Sequence, residues 1–178
     1  MSETLSGYQK WARELPRLLA CALLAAGFAV AAHAQDTKKQ AEELMRQGQQ
    51  QMSKGQPRDA IKTFGKAIEL DPTLPDLYML RSRARDSSGR FDEALDDATK
   101  YIEMEPKDEY GYLNRARIYL SLEKPEKALE DANKAIEMKP DEPDGYYRRA
   151  DVYNAMNKDA EAKADEKKAE ELDAKARR

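Results

Sequence analysis

The chain has 178 residues, 37% of them charged and 7% aromatic, with a net charge of −3. That length suits one ordinary domain, and the near-neutral balance offers no electrostatic pull towards nucleic acid or a membrane surface. The lone Cys21 and lone His33 both lie before residue 35.

Those first residues read as an export signal. Lys10, Arg13 and Arg17 precede an uncharged run, LLACALLAAGFAVAA, from Leu18 to Ala32. Ala32-His33-Ala34 then supplies the small-x-small pattern of a cleavage site. The apolar run is shorter than the ~20 residues of a comfortable membrane span. Residues 1–34 are therefore expected to be a signal peptide cut between Ala34 and Gln35, which implies a periplasmic or otherwise exported protein. An uncleaved membrane anchor is the alternative, and after cleavage no membrane insertion is expected. Cys21 sits at the start of the apolar run, where a lipid-attachment box would need it at the end. After cleavage the chain has no Cys, His or Trp. Disulfides, Cys nucleophiles, Ser-His triads and ordinary zinc sites are then excluded, so neither cofactor nor metal is expected.

Residues 35–40 read as a short linker. Beyond them the sequence repeats. Pro72, Pro106 and Pro140 are spaced by 34 residues, and each follows similar text: KAIELDP, KYIEMEP and KAIEMKP. The same shift aligns Ala60, Ala94, Ala128 and Ala162, and also Tyr78, Tyr112 and Tyr146. Each Pro cannot continue a helix and so ends one. Pro75 and Pro143 suit a first helical turn, where the missing N–H is not needed. Gly55 and Gly89 fall between helices, where a positive φ is cheap for Gly.

A period of 34 with this punctuation resembles the tetratricopeptide repeat (TPR). The resemblance implies an all-α, right-handed α-solenoid of about four helix–turn–helix units: 41–74, 75–108, 109–142 and 143–178. Each unit pairs two antiparallel helices, A then B. Small residues at positions 8 and 20 let them approach, and a large residue at position 4 fills the space beside them. No single unit can bury its apolar face, so the units must stack. In the fourth unit Lys163 and Glu170 stand where earlier units hold Ile or Leu. The stretch AEAKADEKKAEELDAKARR is nearly all charge and Ala, as expected of a polar capping helix.

Two further sets repeat at 34 residues. Arg81, Arg115 and Arg149 share position 7, and Asp97, Asp131 and Asp165 share position 23. An Arg–Asp pair between the two helices of units two to four is expected, with a structural role. The first unit has Gln47 and Thr63 there and should lack it.

In TPR proteins the A helices line a concave groove. The resemblance therefore implies peptide-binding candidates at Met79, Arg83, Tyr110, Leu113, Asn114, Arg117, Tyr147 and Arg148. Tyr and Arg are favoured at binding hot spots, and Met adapts to varied partners. One TPR subset clamps a peptide's C-terminal carboxylate with five residues. Here Asn114 and Arg148 match two places. Met79, Arg83 and Asp144 hold the other three, and Asp144 repels a carboxylate. The segment from Pro140 to Tyr147 fails EF-hand spacing, because Pro140 stands where the first Asp ligand belongs. The expected function is a non-catalytic module for a protein or peptide partner, with no nucleic acid. The alternative is an assembly scaffold, so a monomer and a weak homo-oligomer are both open.

Overall fold

The computed structural model describes residues 35–177. The expected signal peptide, 1–34, lies outside the described residues. The chain divides into two compact parts, Met1–Gln40 and Ala41–Arg178. Of the first part, residues 35–40 are described. They are helical rather than the linker expected from their composition, with Gln40 Nε2 donating to Asp36 Oδ2 at 2.8 Å.

The described residues are all-α, with eight helices. In the second part residues 41–53 form α1. The others are α2 (Pro57–Leu70), α3 (Pro75–Ser87), α4 (Phe91–Met104), α5 (Glu109–Ser121), α6 (Pro125–Met138), α7 (Pro143–Ala155) and α8 (Asp159–Ala176). Pro57, Pro75, Pro125 and Pro143 each open a helix. Pro72, Pro106 and Pro140 follow the C-caps Asp71, Glu105 and Lys139.

Every turn inside a unit closes in the same way. A residue with positive φ stands just past the A helix: Gly55 (70°), Gly89 (76°), Glu123 (55°) and Asn157 (57°). The next amide reaches back five residues, Gln56 to Gln51, Arg90 to Arg85, Lys124 to Tyr119 and Lys158 to Tyr153, at 2.8–2.9 Å. This Schellman closure satisfies carbonyls that the helix end would leave unpaired. Glycine fills the left-handed position in the first two units. Glu123 and Asn157 fill it in the others, although only Asn tolerates it readily.

The apolar groups recur at the helical spacing and bury one face of each helix. Ala60, Phe64, Leu77 and Ala84 form a fully buried cluster with Ala41 at one end of the array. Ala94, Ala98 and Ile118 form the next, and Ala116, Ala128 and Val152 the last. The small side chains let consecutive helices pack closely. Gly48 shows the limit, since a Cβ there would overlap the Phe64 ring. On α8 only Ala162, Asp165, Ala169 and Leu172 are buried, while Lys163 and Glu170 are exposed. The helix therefore closes the core with a polar outer side.

The packing order sets the site. Each helix from α2 onward packs on the next, and in addition α3 packs on α5 and α5 on α7. Among the described residues no B helix packs on another B helix. The A helices are thus drawn together on one side, which makes that side concave.

The expected Arg–Asp pairs join A to B helices in units two to four. Arg81, Arg115 and Arg149 each donate through Nε and Nη2 to both oxygens of Asp97, Asp131 and Asp165, at 2.7–2.8 Å. The position-4 tyrosines stack beside them, with Arg Cζ 5.7–5.9 Å from the rings of Tyr78, Tyr112 and Tyr146. Their hydroxyls donate to the carbonyls of Pro72, Pro106 and Pro140 at 3.1–3.3 Å. One triad per unit therefore fixes the A helix, the B helix and the entering link. In the first unit Thr63 bonds back to the Asp59 carbonyl instead.

Candidate functional site

Helical spacing places the candidate groups. Tyr110, Leu113, Asn114 and Arg117 are 3, 1 and 3 residues apart, so they form one stripe along α5. Asp144, Tyr147, Arg148 and Asp151 repeat that spacing on α7, and Met79 and Arg83 lie one turn apart on α3. These three stripes meet in a groove of about 590 Å³. All eight residues expected from the sequence line it. Tyr101, Asp108, Asp144 and Asp151 complete the lining.

The eight are not equivalent. Tyr110 and Tyr147 are large apolar groups open to water, 54% and 38% exposed. Arg83 is also exposed, whereas Met79, Arg117 and Arg148 are half-buried. Leu113 and Asn114 are buried and form the floor. Asn114 Nδ2 donates to Ser82 Oγ at 2.9 Å, and Ser82 donates in turn to the Ala94 carbonyl at 2.9 Å. Arg117 Nη2 donates to Asn114 Oδ1 at 3.1 Å, and its Nη1 pairs with Asp86. Asn114 thus ties α5 to α3, and its amide is engaged within the protein.

The charges of the groove are largely matched internally. Arg117 pairs with Asp86, and Arg148 with Asp151 at 2.8 Å. Burial pushes the Arg148 guanidinium below its ordinary value, and the neighbouring Arg117 adds to this. Its Nε is buried without a hydrogen-bond partner. Asp108 accepts from the Tyr101 hydroxyl and from the Tyr110 amide, the latter at 3.0 Å. Burial raises the Tyr101 phenol well above its usual range, and the Asp108 bond raises it further. The Asp144 charge is the main cause of the raised Tyr110 phenol. The Tyr147 phenol is raised chiefly by its 2.9 Å hydrogen bond to Asp173. Among the described residues, Arg83 and Asp144 make no side-chain hydrogen bond or ion pair.

The Ser82–Asn114–Arg117–Asp86 chain has no counterpart in the repeat pattern. Of its members only Arg117 recurs at 34 residues, as Arg83 one unit earlier; Ala116, Arg148 and Leu120 stand where Ser82, Asn114 and Asp86 would follow. Tyr101 belongs to a B helix and so falls outside the A-helix register. It reaches the groove because its hydroxyl meets Asp108, the N-cap of α5.

Three consecutive tetratricopeptide-repeat models match the chain, over residues 45–109, 110–142 and 143–175. No curated protein matches in sequence. Among solved structures, MamA is 27% identical, with a TM-score of 0.68 over 76% of this chain and 80% of that one. TTC0263, a thermophilic TPR protein in Thermus thermophilus, is 22% identical, with a TM-score of 0.69 over 74% of each chain. The first TPR of Spaghetti (RPAP3), bound to the HSP90 peptide SRMEEVD, is 22% identical. Its TM-score is 0.63, over 67% of this chain and 95% of that one. The last two likenesses speak to the fold alone. The repeat matches, the 34-residue punctuation and the paired helices agree, and the chain belongs to the tetratricopeptide repeat family.

Proposed function

We propose that this chain is a non-catalytic interaction module that receives a peptide or protein segment in the groove of α3, α5 and α7. The observation that carries the reading is the position of Tyr110 and Tyr147. Single exposed apolar residues are ordinary on a protein surface. These two lie together over a concave floor of Leu113 and Met79, ringed by Arg83, Arg117 and Arg148. Rigid aromatic groups and arginines in one concavity are what a binding hot spot requires. The tetratricopeptide-repeat matches support recognition of a protein or peptide in general. Recognition of a terminal carboxylate is not favoured, because Asp144 occupies a clamp position and Asn114 is engaged by Ser82 and Arg117.

Export to the periplasm belongs to the same reading, supported by the pattern of residues 1–34. The mass of the chain isolated from cells tests it. A chain starting at Gln35 supports export with cleavage, and one starting at Met1 contradicts cleavage and favours the uncleaved anchor.

Capture from cells tests the groove. Proteins retained by the wild type would be compared with those retained by Tyr110→Ala/Tyr147→Ala and, because Tyr147 also bonds Asp173, by Tyr110→Ala alone, whose melting temperature should change little. A partner lost only from the variants supports the reading. Equal capture by all three contradicts it and favours an assembly scaffold that uses another surface.

A further inference from the structure

Resting on that reading, we infer that the groove's occupant is an extended segment of mixed charge, with an acidic and a basic side chain about six residues apart. The argument comes from what the groove leaves unmatched. Arg117 and Arg148 have Asp86 and Asp151, and Asp108 has the Tyr101 hydroxyl. Arg83 on α3 and Asp144 on α7 are exposed, and their side chains have no hydrogen bond or ion pair among the described residues, although Asp144 also acts through space on Arg148 one turn away. They stand at opposite sides of the groove, one positive and one negative.

The surroundings strengthen the acidic pole. Around Tyr110 the charges acting on the phenol are those of Asp144, Glu109, Glu142 and Asp108, all acidic. Acidic groups in a first helical turn ordinarily serve the helix dipole. That explains Glu109 and Asp144 singly, but not why an exposed aromatic stands among them. A ring beside carboxylates is a good seat for a Lys or Arg side chain. On α3 the exposed Arg83 favours an acidic side chain at the other end of the segment.

Geometry sets the spacing. Successive A helices in contact lie ~8–10 Å apart, so α3 and α7 are separated by roughly 18 Å. Arg83 lies about seven residues further along its helix than Asp144 does, a rise of ~10 Å. The two groups are thus ~20 Å apart, which six or seven extended residues span at ~3.3 Å each. Apolar side chains between them would meet Leu113, Met79 and the two tyrosines.

A random nine-residue peptide library displayed against the immobilised full chain tests this. Groove-dependent clones are those that lose binding to Tyr110→Ala/Tyr147→Ala. The expected clones carry Asp or Glu and Lys or Arg about six positions apart, in one order. Arg83→Glu alone should weaken them roughly fivefold. Selection against Arg83→Glu/Asp144→Lys should return the opposite order. Groove-dependent clones with no such spacing, or with acidic residues alone, would overturn the inference and leave the groove reading standing. An absence of groove-dependent clones would overturn both.

Discussion

Arg115 holds Asp131 by two parallel hydrogen bonds, Nε to Oδ2 and Nη2 to Oδ1, both 2.8 Å long. The carboxylate is the more buried partner, with its side chain 8% exposed against 20% for the arginine. The two losses should therefore differ. Without Arg115 the carboxylate stays buried and unpaired, and Arg115→Ala should cost about 3 kcal/mol. Without Asp131 the guanidinium can swing to water, so Asp131→Ala should cost about 2 kcal/mol. Chemical denaturation of both variants and their double mutant would check this, with a coupling of about 1–3 kcal/mol expected. Additive losses would show that the pair contributes nothing as a pair.

Glu123 occupies with φ 55° the place that Gly89 occupies with φ 76°. A side chain in the left-handed region costs about 1–2 kcal/mol, and glycine loses part of that advantage through its freer unfolded state. Glu123→Gly should raise stability by about 1 kcal/mol. A Cβ on Gly89 would meet nothing within 4 Å, so Gly89→Ala isolates the backbone contribution and should cost about 1 kcal/mol. Thermal and chemical denaturation of the two variants would check both signs.

Gly48 lies against the fully buried Phe64. Alanine is favoured over glycine in a helix by about 1 kcal/mol, but overpacking a closed core costs about 1–3 kcal/mol. Gly48→Ala should therefore lower the melting temperature. Phe64→Leu, which removes the overlapping ring, should recover part of the loss in the double variant.

Tyr101 predicts an alkaline limb. Its phenol is raised above the ordinary value of about 10 by burial and by Asp108. A raised value means that the native state holds the proton more tightly than the unfolded state. The stability so contributed is complete below about pH 10 and is lost as pH rises through the native value. Tyr101→Phe should cost about 1 kcal/mol at neutral pH and flatten this decline, as read by denaturation at several alkaline pH values. An unchanged alkaline slope would contradict the assignment.

What could be read from the sequence followed its periodicity. The prolines at 72, 106 and 140, the alanines from Ala60 to Ala162 and the Arg–Asp series all mark positions whose environment recurs, so one shift of 34 residues exposes them. The eight lining residues came from the same register. What stayed hidden belongs to single places. Asn114 meets Ser82 only between the second and third units, because Arg148 and Ala116 replace them one unit later. In the second unit Arg85 takes the place of Tyr119 and Tyr153, and it joins Arg81 on Asp97 at 2.6 Å. Residues 35–40 resemble a linker by composition, yet they are helical. Polar residues without an apolar stripe carry no periodic signal, so their helix was not legible.

The most direct test of groove recognition is site-specific photo-crosslinking in intact cells. One crosslinker would replace Tyr110, which is exposed in the groove, and another Glu130, which is exposed on α6. Asn114 is less suitable, because its side chain is buried. The account predicts a discrete partner captured from position 110 and absent from position 130. Capture from position 130 alone, or of a second copy of this chain from both positions, would contradict it.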